Sequence, residues 1–199
     1  MNRLAATPLA AALLLAGCAS TQTGAEWIDP QFQNITLRGT RVMVVCEAAD
    51  LPVRKLCQDV LAAEVTARGA TPVIGPDGLA TGERPLAEAY QGAARNANAR
   101  SILSAAIAPD ATIVKSGPSI GIGLGGFGRR IGGGVGVSVP VGGGSVEQAL
   151  GATGTLTNVA SGRTMWTVRA STPSSSDVNA QVSALGKAVA EAATRAGFF

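Results

Sequence analysis

Between residues 42 and 108 the sequence alternates apolar β-strand patterns with amphipathic helix patterns. The run Val42-Met43-Val44-Val45 is β-branched and almost wholly apolar, which is typical of a strand that is covered on both faces. Residues 50–52 (Asp-Leu-Pro) then give a helix-start signal, and apolar residues recur every three or four positions as far as Val65. Gly69 predicts the end of this helix.

The second half of this segment repeats the pattern. A short strand over 71–74 is followed, after a Gly- and Pro-rich loop, by a helix over 86–97. A third strand over 100–108 is expected to end at Pro109 and Asp110. The segment therefore predicts a βαβαβ unit, that is, a sheet of the α/β class covered by helices.

Glycine alternates with apolar residues between positions 119 and 141. A period of two predicts two strands with an aliphatic face and an almost bare glycine face, and thus a Gly-rich hairpin over 119–141. Phe127, Arg129 and Arg130 lie at the expected tip and are candidate contacts to a partner or a membrane, although two arginines are equally typical of a solvated turn. The stretch also matches G-x-G-x-x-G, but strand rather than helix follows, so we expect no nucleotide cofactor.

Two interpretations of this hairpin stay open. Its arms match the roughly 9–11 residues of a tilted transmembrane strand. One hairpin per chain closes a barrel only in a ring of subunits, because every backbone polar group in lipid needs a partner. The alternative is a soluble hairpin whose glycine face lets a helix or a partner backbone approach closely.

The last third of the chain predicts an antiparallel meander and a final helix. Strands are expected over 148–159 and 164–171, with Trp166 of the second strand in the core. Asp177 is a cap candidate for the last helix, and the two phenylalanines at 198–199 are expected to pack back onto the domain. The predicted fold class is α/β (α+β): a βαβαβ unit, the Gly-rich hairpin, an antiparallel meander and a C-terminal helix on the sheet.

Residues 1–17 have the organisation of a secretory signal peptide. Arg3 precedes an apolar run that is much shorter than the roughly 20 residues needed to cross a bilayer. Leu15-Ala16-Gly17-Cys18 then resembles the lipobox of bacterial lipoproteins. In that family the cysteine sulfur receives diacylglycerol, the chain is cleaved before it and the new amine is acylated, for example with palmitate. The resemblance implies that Cys18 is the lipidated first residue and, because Ala19 follows it, that the protein is sorted to the outer membrane and faces the periplasm.

This leader divides the chain into three parts. After the signal peptide, residues 18–35 are predicted to be the lipidated N-terminus and a small, polar tether, and residues 36–199 a single domain. In an oxidising periplasm Cys46 and Cys57 can form a disulfide, because a helix packed over its strand brings its early turns near the strand end. The alternative is two buried free thiols.

The sequence contains no histidine, and this limits its chemistry. The commonest general base and the commonest zinc ligand are therefore missing, and the acidic residues are few and scattered. We expect no enzyme, no catalytic residues, no metal and no cofactor. The basic residues form no patch interleaved with aromatics, so we also expect no nucleic-acid partner.

The segment 154–166 carries a turn with Gly162-Arg163 between two predicted strands, the second of which bears Trp166. Such a hairpin before a last helix resembles a group of periplasmic lipoproteins, which includes the curli-secretion channel lipoprotein, the penicillin-binding-protein activators and related glycine-rich lipoproteins. Over most of residues 36–199 the resemblance implies a lipid-anchored, non-enzymatic envelope lipoprotein that binds a protein or peptidoglycan partner. The alternative is a ring-forming outer-membrane lipoprotein, a homo-oligomer whose Gly-rich hairpins build an assembly or a secretion pore.

Overall fold

The protein is described here by a computed structural model. It covers residues 20–77, 79, 86–114, 119–120, 139–140 and 146–199, with the backbone alone at 111–114, 119–120, 139–140 and 146. The predicted signal peptide, the lipidation site Cys18 and the hairpin-tip residues Phe127, Arg129 and Arg130 lie outside the described residues.

A six-stranded mixed sheet forms the centre of the fold, in the spatial order β1-β8-β7-β4-β2-β3. Its strands are β1 (Gln22–Ile28), β2 (Arg41–Glu47), β3 (Thr71–Ile74), β4 (Ser101–Val114), β7 (Val146–Asn158) and β8 (Thr164–Ser171). Three helices pack on it: α1 (Leu51–Ala67), α2 (Leu86–Asn96) and α3 (Val178–Arg195). Strands β2, β3 and β4 run parallel to one another. The pairs β4–β7, β7–β8 and β8–β1 are antiparallel. This mixed sheet with its helices confirms the predicted fold class.

Strand β2 is buried on both faces, as its apolar run predicts. Val42, Val44 and Cys46 face the larger core cluster, which contains the buried residues of α1 and α3. Met43 and Val45 face a smaller cluster with Tyr90 and Ala94 of α2, among other residues. The sheet therefore lies between two helical layers at this point.

Two glycines allow α3 to pack closely, one against α1 and one against the sheet. A Cβ atom at Gly186 of α3 would lie 2.7 Å from Cγ1 of Val60 in α1. A Cβ atom at Gly154 of β7 would lie 2.6 Å from Cγ1 of Val189 in α3. Small residues at these two positions allow α3 to contact both α1 and the sheet.

The predicted tether over 18–35 is partly wrong, because Gln22–Ile28 is a strand. Strand β1 pairs antiparallel with β8 at the edge of the sheet. Six of its seven residues are exposed and the seventh is half-buried, so it shows no apolar alternation. Its structure comes from hydrogen bonds to β8 rather than from burial of its own side chains, which is why the sequence pattern did not predict it.

The predicted end of the third strand at Pro109 and Asp110 is also wrong. Strand β4 continues to Val114, and its pairing with β7 shifts register between Pro109 and Ala111. A bulge of this kind accommodates a proline in a strand, since the proline has no N–H to donate. The strand therefore passes through residues that normally end one.

Two short strands lie at the base of the predicted Gly-rich hairpin. Strand β5 (Ser119–Ile120) pairs antiparallel with β6 (Val139–Pro140). The positions between them lie outside the described residues, so the two interpretations of the hairpin both stay predictions.

The structure contains the disulfide expected between Cys46 and Cys57. Their Cα atoms are 6.0 Å apart and both residues are fully buried. The bond joins the end of β2 to the second turn of α1, and so fixes the first helix to the central strand.

Replacing both cysteines (Cys46→Ala with Cys57→Ala) is expected to lower the free energy of unfolding by about 3 kcal/mol, because the unfolded chain loses the covalent closure of a short loop. Urea unfolding followed by tryptophan fluorescence measures this change. A reducing agent should destabilise the natural protein to a similar extent and leave the double variant unchanged. A natural protein that is insensitive to reduction would contradict the prediction.

Candidate functional site

The strand register defines two different ends of the sheet. Gln22 of β1 lies beside Ser171 of β8, which lies beside Gly151 of β7, which in turn lies beside Ala108 of β4. Beyond this line β4 and β7 continue together as an arm, with residues 172–175 pairing beside β7 as far as Gln148. We call this the arm end. The opposite end, which contains the β7–β8 turn over 159–163, is called the turn end.

Strand β1 is fastened to the sheet by side chains as well as by its backbone. The Trp166 indole N–H donates to Glu26 Oε1 at 2.6 Å. After the strand, the backbone N–H of Asp29 donates to the Met165 carbonyl at 2.9 Å, and the Asp29 carboxylate pairs with Arg163 at 2.6 Å. The chain that precedes Gln22 therefore leaves the domain at the arm end.

The two tryptophans have opposite environments. Trp166 is fully buried and meets Phe198 edge-on, with ring centroids 6.4 Å apart, which confirms its prediction as a core residue. Phe199 is buried as well, so both terminal phenylalanines pack back onto the domain. Trp27 is 50% exposed. Trp27 was not predicted to be a surface aromatic. Trp27 is exposed and Ile28 is half-buried because they lie on opposite faces of β1, and the sequence pattern did not predict that strand.

One half of one sheet face has no helix over it among the described residues. On that side α2 packs against the smaller core cluster, which lies over β2 and the start of β4. Among the described elements none packs over β7, β8 and β1 on the same side. We call this surface the open sheet face; its outward side chains are Trp27, Thr153, Thr155, Thr167 and Arg169.

The side chains of the open sheet face are arranged in rows across three strands. Thr155 stands opposite Thr167, with their hydroxyl oxygens 3.4 Å apart, and Thr167 stands opposite Trp27. Arg169 pairs with Asp110 of β4 at 2.9 Å. The open sheet face thus carries mainly short polar side chains, with one large aromatic, Trp27, at its outer edge.

A polar groove separates α2 from the β7–β8 turn. It consists of two adjoining cavities of about 440 and 500 Å³ that share Arg95. Gln91 Nε2 donates to the Val159 carbonyl at 3.2 Å and connects the helix to the turn. We call this the turn-end groove. The first cavity is lined by Ala87, Glu88, Gln91, Arg95, Thr157, Ser161, Gly162 and Thr164, and the second by Arg95, Asn98, Ala99, Arg100, Asn158, Val159 and Ala160.

The described part of the chain has neither a metal-binding cluster nor a membrane-spanning helix. It contains no group of three or more His, Cys, Asp or Glu residues that could hold a metal ion. None of the helices it describes combines the length and the apolar character needed to cross a membrane.

Comparison with known proteins gives similarity at the level of the fold. The chain is similar to the PelC dodecamer from Paraburkholderia phytofirmans, with 17% identity and a TM-score of 0.50 over 90% of this chain and 99% of that chain. A variant PelC dodecamer from the same organism gives 16% identity and a TM-score of 0.46, over 85% and 95% of the two chains. The lipoprotein GNA1162 from Neisseria meningitidis gives 13% and 0.42, over 78% and 96%. No family model matches the chain, and no curated protein matches it significantly.

The contact between Glu26 and Trp166 should decide how firmly β1 is held. Glu26→Ala leaves the buried indole N–H unpaired, at a cost of about 1–3 kcal/mol, whereas Glu26→Gln keeps an acceptor oxygen. We expect faster hydrogen exchange over residues 22–28 in the alanine variant and near-natural exchange in the glutamine variant. Equal exchange in both variants would show that the side-chain contact does not hold the strand.

Proposed function

We propose that this chain is a lipid-anchored, non-enzymatic protein of the bacterial cell envelope that works as a homo-oligomer, with the open sheet face as a contact between copies. The observation that carries the proposal is the half-exposed Trp27 beside an uncovered threonine face. Tryptophan is enriched at the energetically important positions of protein interfaces. A polar sheet face that lies beside such a residue suits the rim of such a contact.

The position of β1 supports an anchor close to the domain. Cys18, the proposed lipidation site, precedes Gln22 by only four residues, which span at most roughly 14 Å when extended. Since Gln22 lies at the arm end, we propose that the arm end faces the membrane and the turn end faces away from it. We also propose that the protein is anchored in the outer membrane and faces the periplasm, because Ala19 follows Cys18.

The similarity to a structure described as a dodecamer supports self-assembly. A closed ring requires a head-to-tail contact between two different surfaces of the same chain. The open sheet face lies on the β1 side of the sheet, and β3 forms the opposite edge with Ile74, which is 46% exposed. The chain therefore has a candidate surface on each side for such a contact.

The arm favours a ring over a single-copy binding protein. Strands β4 and β7 extend beyond the other strands on the proposed membrane side, and the base of the Gly-rich segment, β5 with β6, lies between them in the chain. In a ring these arms would stand side by side at the membrane. We propose that the assembly binds an envelope protein or peptidoglycan. A secretion pore built by the Gly-rich hairpins of the ring is the more specific alternative.

Native mass spectrometry of the full-length, lipidated protein in detergent tests this proposal. We expect a homo-oligomer for the natural protein and a shift to monomer for Trp27→Thr, because the variant keeps a good strand residue but loses the exposed aromatic. The control is Leu51→Thr, which removes an apolar side chain of similar exposure (54%) at the start of α1, away from the open sheet face.

Two results would contradict the proposal. A natural protein that is monomeric would remove self-assembly and leave the single-copy binding protein. An equal loss of oligomer in the Trp27 and Leu51 variants would show that the open sheet face has no specific role in the contact.

A further inference from the structure

We propose that the turn-end groove binds a saccharide that carries a carboxylate group. This inference goes beyond the proposed function, because it concerns a different surface and requires neither self-assembly nor the anchor. It follows from an unpartnered buried hydroxyl group, from the mixture of donors and acceptors in the first cavity, and from the charge of the second cavity.

The hydroxyl group of Thr157 is the first observation. Thr157 is only 4% exposed, its Oγ1 atom has no hydrogen-bond partner in the described structure, and the residue lines the first cavity. The strand register puts it between Ile102 of β4 and Thr164 of β8, on the side of the sheet that α2 covers. Buried hydroxyls nearly always have a partner. A ligand in the first cavity can supply the missing one.

The lining of the first cavity matches hydroxyl groups. Glu88 offers acceptors, Gln91 and Arg95 carry donors, and Thr157 and Thr164 can do both. Sugar hydroxyls also donate and accept, so a saccharide can satisfy both kinds of group at once. Among the described residues that line this cavity, only Ala87 and Gly162 are apolar, and they provide no pocket for the side chains that anchor a peptide.

The second cavity adds positive charge. Arg95 and Arg100 line it together with neutral residues, and its described lining includes no acidic residue. Other arginines are already paired, for example Arg163 with Asp29 and Arg169 with Asp110. Arg95 makes only a long contact, 3.5 Å from Nε to the Val159 carbonyl, and has no ion pair within the described residues.

A carboxylate fits this arrangement better than a neutral group does. A guanidinium group binds a carboxylate through two parallel hydrogen bonds, which a neutral hydroxyl cannot reproduce. Because Arg95 lines both cavities, the carboxylate is expected at their junction, with the hydroxyl groups directed toward Thr157 and Glu88. The first cavity alone, at about 440 Å³, lies within the range of small-molecule sites.

The probe for the test is tetragalacturonate, titrated into the full-length lipidated protein in detergent by isothermal calorimetry. Arg95→Met keeps much of the apolar stem and removes the charge, and it should raise the Kd at least about tenfold. Thr157→Val has nearly the same shape and removes only the hydroxyl group. It should raise the Kd severalfold and leave the urea midpoint unchanged or higher, because no internal hydrogen bond is lost.

The matched control is Arg38→Met, an exposed arginine that does not line the groove, and its Kd should equal that of the natural protein. Maltotetraose, a neutral saccharide, should bind much more weakly than tetragalacturonate. No binding of tetragalacturonate, or an equal loss in the Arg38 and Arg95 variants, would overturn the proposal. Equal binding of tetraglutamate with the same dependence on Arg95 and Thr157 would assign the groove to acidic peptides instead.

Discussion

The antiparallel pairing of β1 with β8 determines where the N-terminal strand and the open sheet face lie. It is held by the hydrogen bond from Trp166 to Glu26 and by the ion pair of Arg163 with Asp29. Without it the N-terminal segment would be a tether, and the sheet would end at β8. With it, the sheet gains an exposed edge with Trp27, and the N-terminal chain leaves at the same end as the arm.

The two faces of the sheet are covered unequally, and both candidate surfaces result from that difference. On one face α1 and α3 pack together through Gly186, and the disulfide fixes α1 to β2. On the other face α2, the one helix there among the described residues, covers only part of the sheet. The open sheet face is the uncovered part, and the turn-end groove is the boundary between α2 and that part. A second helix on that face, beside α2, would remove both surfaces.

Sequence patterns predicted the elements that are built on buried side chains. The β-branched run of β2 predicted the central strand, and an oxidising compartment together with the place of Cys57 early in the next helix favoured its disulfide with Cys46. The edge strand β1 was missed because it buries almost nothing, and β4 was predicted too short because a bulge carries it past Pro109. The groove depends on register, since only the pairing of strands brings Thr157 beside α2, and no local pattern encodes that pairing.

The most direct test of the account measures how the domain is oriented on a membrane. Lipidated protein in vesicles is labelled with a donor dye at Ser176→Cys, near the arm end, or at Asn96→Cys, at the end of α2 toward the turn end, and energy transfer to acceptor lipids is recorded. Since Cys46 and Cys57 are joined, each variant has one reactive thiol in protein whose Cys18 sulfur carries the proposed diacylglycerol. Because the arm end is proposed to face the membrane, stronger energy transfer is expected from position 176. Equal transfer from both positions, or stronger transfer from position 96, would contradict it.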